Sequence, residues 1–186
     1  ISFHHIIADG TSIEIILKEL SEFLKTGTLK VSESDSYNDY VKQQKDIQQS
    51  EQYKNMRSWW FEKFKAVPEA LELVTDAPRK QIADFSGKHY YFEIEPSIYR
   101  RASRLIASLH TTPFVFYLSA FTVLFERISG QDDFCIGIPL DQRTKGNFED
   151  TIGMFAQTLP LRMEMDKDRK FTDVLVQIRD LCFDAI

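Results

Sequence analysis

The stretch "TPFVFYLSAFTVLFERI", residues 112 to 128, limits the possible folds more than any other part of the chain. Thr112 and Pro113 open a helix that is apolar on nearly every side, and such a helix is expected inside a sizeable core. A chain of 186 residues that is 43% hydrophobic has the material for one ordinary globular domain, or for a piece of a larger one. The run is too short, and too interrupted by hydroxyls, to span a bilayer, so a soluble cytoplasmic protein with no membrane partner is expected. A net charge of −5 without a basic run or face disfavours a nucleic-acid surface and leaves proteins or small molecules as partners.

Periodicity organises the rest. "TSIEIILKELSEFLK" places Ile13, Ile16, Leu17, Leu20 and Leu24 on one helical face, with a capping box expected at Thr11 and Glu14 and an end near Gly27. After the serine-rich "KVSESDS", the segment "YNDYVKQQKDIQQSEQYKNMRSWWFEKFK" reads as two helices, or one broken near Ser50, with Trp59 and Trp60 sealing a core. "VPEALELVTDAPRK" breaks the pattern and is expected to cross between two subdomains, with a boundary near Thr75. "ISFHH" and "HYYFEIE" read as strands, Pro96 opens a further helix, "FCIGIPL" and "TLPLRMEM" flank a loop as strands, and "FTDVLVQIRDLCFDAI" closes as a helix. The first strand lacks a preceding turn and the last helix lacks a stop signal, so both ends are expected to be cut. Cys135 and Cys182, far apart in apolar surroundings, read as buried thiols of a reducing compartment.

The chemistry gathers in "SFHHIIADGTS". On a continuing strand His4 and His5 face opposite sides, so one is structural while the other is free to take and return a proton in a cleft. Asp9 has the type and spacing to orient an imidazole, although hydrogen-bonded scaffold is the commoner use of such residues. No Gly-x-Ser-x-Gly elbow accompanies them, which disfavours a hydrolase. His89 and His110 lack ligand spacing and no cysteine stands near His5, so no metal site is expected.

"HHIIADG" resembles the His-His-x-x-x-Asp-Gly signature of nonribosomal peptide synthetase condensation domains, within the chloramphenicol-acetyltransferase-like acyltransferases. "YNDYVKQQ", "SGQDDFCIGIPL" and "IGMFAQTLPLR" resemble further family motifs in the expected order. The resemblance covers essentially the whole chain and implies a mixed α/β, two-lobed fold of which this is a central fragment, residues 1–75 ending the first lobe and 76–186 beginning the second. It implies amide formation between carrier-bound acyl and aminoacyl thioesters, with His5 catalytic, His4 its supporting neighbour, Asp9 structural and paired with an arginine, and Gly10 allowing close approach of backbone to substrate. That arginine is expected from the upstream lobe and so outside this chain. The implied partners are upstream and downstream peptidyl carrier proteins, which bring 4′-phosphopantetheine, and an adjacent adenylation domain; the domain itself is expected to bind no cofactor. Thr11 and Gln157 depart from the family's usual tryptophan and asparagine. An epimerisation domain, a coenzyme A-dependent acyltransferase and a noncatalytic docking module remain alternatives, and the fragment alone is expected to be inactive.

Overall fold

A computed structural model describes residues 2–29, 33–78, 82 and 86–185. Helix α1, Gly10–Thr26, ends where Gly27 turns left-handed at φ 71°, its N–H donating to the Phe23 carbonyl, but its buried residues are Ser12 and Ile15, while Ile13, Leu17, Leu20 and Leu24 of the predicted face stay exposed. Its start differs from expectation. Asp9 is the N-cap and accepts from the Ser12 N–H, so Thr11 lies inside the helix and the Thr11/Glu14 box does not form. Helices α2, Tyr37–Gln49, and α3, Glu51–Lys63, are separated at Ser50, which ends one and caps the other. Ser36 and Asp39 cap α2 reciprocally. Trp59 and Trp60 meet edge to face with centroids 4.8 Å apart and are half-buried, a shallower seal than predicted.

Helix α4, Pro96–Ser108, begins at its proline, and α5, Pro113–Ser129, is capped by the Thr112 hydroxyl. The all-round burial expected of α5 is not met among the described residues. Val115, Leu118, Ser119 and Thr122 are buried, and Phe116 meets Phe171 of helix α6, Phe171–Ala185, edge to face, while Phe114, Phe121, Leu124 and Ile128 stay exposed.

Strands β1, Asp133–Asp141, and β2, Ala156–Glu164, pair as a two-stranded sheet, linked through a short 3₁₀ turn at Gln142–Lys145. Two expected strands do not form among the described residues. The residues around His4 and His5 make a turn instead, and 87–95 have no ladder partner. Alternation marks a strand only when a neighbour accepts its backbone groups, and neither segment has one here. Burial pushes both thiols up; Cys182 is buried and Cys135 half-buried, and both are free.

Two compact units emerge, one of Ile1–Val67 with Gly137–Pro160, the other of Pro68–Ile136 with Leu161–Ile186. By contacts the first unit runs to Val67 and takes in 137–160. In the expected crossing, residues 67–80, 67–78 have neither helix nor strand, and 79–80 lie outside the described residues. The Gln131 side chain secures it by donating to the Ala70 carbonyl and accepting from the Glu72 N–H.

Candidate active site

All the following groups belong to the first unit. The turn after the double histidine is closed by the Ile7 N–H donating to the His4 carbonyl at 3.1 Å. His4 Nδ1 accepts from the Ile6 N–H at 3.1 Å, which commits that ring to the turn. His5 Nδ1 lies 2.9 Å from the Ala8 carbonyl oxygen. A carbonyl only accepts, so the neutral ring carries its proton on Nδ1 and leaves the Nε2 lone pair free. The ring is exposed.

Four residues further on, the chain goes inside. Asp9 is 3% exposed and its carboxylate is fully engaged. Oδ1 accepts from the Ser12 N–H and hydroxyl at 2.9 and 2.8 Å and from Arg143 Nη2 at 2.8 Å. Oδ2 accepts from Arg143 Nη1 at 2.8 Å and from the Phe155 and Ala156 N–H groups at 3.0 and 3.2 Å. The Arg143 fork is therefore bidentate on Asp9. Its remaining protons go to the Thr151 and Gly153 carbonyls, to the Ser12 hydroxyl and, loosely at 3.4 Å, to Asp141. The guanidinium stands over the Phe155 ring at 4.2 Å.

Burial by itself would push the Asp9 carboxyl up. The bonds from Arg143, Ser12 and Phe155 outweigh it and hold the group well below the usual carboxylate range. Burial would also lower the Arg143 pKa, and Asp9 more than offsets that. Asp9 is thus held as an anion.

The loop bearing these carbonyls and amides is fixed by aromatic rings. The Tyr37 hydroxyl donates to the Met154 carbonyl at 3.0 Å, and its ring fills the space where a Cβ on Gly153 would stand, so only glycine fits there. Tyr40, Phe148 and Phe155 are buried as one cluster, with Tyr40 and Phe155 centroids 4.6 Å apart. The Gln157 amide reaches toward the Tyr40 hydroxyl at 3.5 Å.

Of the residues singled out in the sequence, His4, His5, Asp9 and Gly10 lie consecutively along this turn and helix start. Gly10 is the first residue of α1, has no left-handed φ, and a Cβ built on it meets nothing within 4 Å. No group among the described residues accepts from its N–H. The arginine partner of Asp9, expected upstream, is Arg143 of this chain, from the turn after β1. Sequence reading also missed Ser12 and the backbone of 151–156. The signal for Arg143 was a buried aspartate in need of a cation, together with an arginine in a loop that lies between two strands and leads into "IGMF".

The family model described as Condensation domain matches residues 1–185. Surfactin synthase subunit 1 of Bacillus subtilis (strain 168) is 33% identical over 182 residues, covering 98% of this chain and 5% of that protein. Bacitracin synthase 3 of Bacillus licheniformis is 31% identical over 182 residues, covering 98% of this chain and 3% of that protein. The condensation domain from the Monacolin K polyketide synthase MokA superposes with a TM-score of 0.78 at 22% identity, over 98% of this chain and 43% of that one. The chain therefore spans a small part of its curated relatives and less than half of a solved condensation domain. Its mixed helices and strands are part of the chloramphenicol-acetyltransferase-like fold, and the chain belongs to the condensation-domain family.

Proposed function

We propose that this chain carries the reactive imidazole of a nonribosomal peptide synthetase condensation domain, which joins a carrier-bound acyl or peptidyl thioester to a carrier-bound aminoacyl acceptor. The observation that carries the reading is the His5 ring, exposed and held in one tautomer by the Ala8 carbonyl beside a helix start pinned through Asp9. In this reading residues 1–75 belong to the first lobe and 76–186 to the second. Upstream and downstream peptidyl carrier proteins present the substrates on 4′-phosphopantetheine arms in the cytoplasm, and an adjacent adenylation domain selects the acceptor.

The amine lone pair attacks the thioester carbonyl carbon, a C–N bond forms, the C–S bond breaks and sulfur leaves as thiolate. The ammonium proton passes to His5 Nε2 and then to the thiolate, which returns the imidazole to its starting form. The Gly10 N–H faces the developing oxyanion. An α-amine with a pKa of about 7.7 to 8.0 is already partly neutral at pH 7, so attack does not wait for a base. General-base help contributes about 10² to 10⁴ in rate, roughly 3 to 5 kcal/mol, whereas orienting two tethered reactants contributes about 7 to 11 kcal/mol. Positioning by the cleft outweighs proton transfer by His5.

The test uses the complete synthetase with loaded carriers and reads products by mass spectrometry. His5→Ala is expected to stop release of condensed product, and normal release would overturn the reading. Gly10→Ala is expected to lower turnover without lowering thermal stability, because the added Cβ meets nothing within 4 Å. A D-configured thioester in place of an amide indicates epimerisation, an acyl product drawn from coenzyme A indicates the related acyltransferases, and no product from wild type indicates a docking module.

A further inference from the structure

We propose that Ser12 is a positioning residue for His5, an inference that rests on the functional reading above. The side chain is 0% exposed, and its hydroxyl joins segments separated by 141 positions. The oxygen accepts from the Gly153 N–H at 3.0 Å and from Arg143 Nη2 at 2.9 Å. Its single proton faces Asp9 Oδ1 and the Gly153 carbonyl, both at 2.8 Å. A hydroxyl donates once and accepts twice, so it is saturated here and no water or substrate group has room to share it.

Among the described residues, the Ser12 hydroxyl is the one side-chain group that bonds Asp9, Arg143 and the 151–156 loop at the same time. Asp9 is held at its side chain by that junction, and the peptide joining it to Ala8 carries the carbonyl that receives His5 Nδ1. A shift of Asp9 turns that carbonyl, releases the ring and frees the other tautomer, which presents a proton instead of a lone pair at Nε2. Ser12 touches no reacting atom. It acts through Asp9 and Ala8.

The experiment compares wild type, Ser12→Ala, Ser12→Thr and Tyr37→Phe in the complete synthetase. Tyr37→Phe removes a different bond to the same loop, that to the Met154 carbonyl, without touching Asp9. For Ser12→Ala the expected result is a kcat at least tenfold lower, with KM for both carrier-bound substrates within threefold of wild type. Hydrogen exchange is expected to rise in 9–13 and 151–157 together, with α5 and α6 unchanged. Ser12→Thr, which keeps the hydroxyl, is expected to recover most of the loss, and Tyr37→Phe to lower kcat less than threefold. A Ser12→Ala enzyme within threefold of wild type, a change in KM alone, exchange rising in only one of the two segments, or exchange rising throughout α5 and α6 would overturn the proposal. A wild type that makes no amide refutes the functional reading instead, and the exchange measurement still decides whether Ser12 joins the two segments.

Discussion

Asp9 and Leu175 are buried to nearly the same degree, 3% and 0% exposed, in different units and by opposite means. In the unit that holds Leu175, Phe134, Leu161, Met163 and Ile178 are buried as well, and the force is removal of apolar surface from water, which has no preferred direction. Even the buried hydroxyls there turn inward on their own helix, Ser119 donating to the Val115 carbonyl and Thr122 to the Leu118 carbonyl. Around Asp9 the burial is of charge, and each oxygen and each proton needs a partner in one direction. The apolar region depends on volume, the polar one on completeness, and a substitution conservative for one is not conservative for the other.

The largest expected effects separate the two. Arg143→Ala leaves the Asp9 charge buried and unpaired and is expected to cost about 3 to 5 kcal/mol in urea unfolding. Arg143→Lys keeps the charge but not the fork, and is expected to recover little of it. At Leu175 a cavity is the only penalty. Leu175→Ala is expected to cost about 2 to 5 kcal/mol, and Leu175→Met, which keeps the volume, less than about 1.5. The comparison fails if Arg143→Lys is as mild as Leu175→Met. An apolar pair in place of Asp9 and Arg143, often harmless elsewhere, offers no escape here, since the Ser12, Phe155 and Ala156 N–H groups would lose their acceptor.

The same contrast decides what the sequence discloses. Helices α1 to α6 follow from spacing, capping residues and the placement of Pro96, Pro113 and Gly27, because those signals are local. The β1 and β2 positions follow from apolar runs on either side of a polar loop. Apart from the start of α1, where Asp9 rather than Thr11 is the cap, what failed was nonlocal. "ISFHH" and "HYYFEIE" have the alternation of strands, but alternation does not name a partner. α5 is apolar all round, but composition does not say which side its neighbours cover. The motif residues His4, His5, Asp9 and Gly10 were legible as a word, and the family resemblance supplied the need for an arginine. Its identity was not legible, since Arg143 lies 134 positions from Asp9 and no periodicity relates them. Once the pair is seen, the motif "IGMFAQT" explains itself: Gly153 makes room for Tyr37, Phe155 supports the guanidinium, and the backbone between them faces Asp9 and Ser12.

Acid sharpens the comparison with a smaller effect. Asp9 has a folded-state pKa well below its ordinary 3.8, so its contribution is fully present above that value and is lost as pH falls through and below the usual carboxylate range. Protonation keeps the side chain in place as an acceptor, so the loss is expected to be smaller than that of Arg143→Ala. In the second unit Asp133 is also held low by its bond to Arg162, but the carboxylate is 36% exposed and water screens the pair. Segment-resolved hydrogen exchange between pH 5 and 2.5, corrected for intrinsic rates, is expected to show 9–13 and 151–157 opening before α5 and α6. Simultaneous opening would mean that the ion pair does not set the acid limit of the first unit.

The smallest effect tests whether local strain is spread as unevenly as buried charge. His110 is the one non-glycine residue with positive φ, 48°, among the described residues. It follows α4 in a Schellman ending, its own N–H donating to the Ala107 carbonyl and the Thr111 N–H donating to that of Ile106. Glycine is the usual occupant of that position, because a Cβ in the left-handed region costs about 1 to 2 kcal/mol. His110→Gly removes that strain but adds freedom to the unfolded chain, worth about 0.4 to 1 kcal/mol in the other direction. The expected outcome is a gain under about 1 kcal/mol, seen as a rise of a few degrees in Tm. A loss would mean that the histidine side chain contributes more than the left-handed backbone costs.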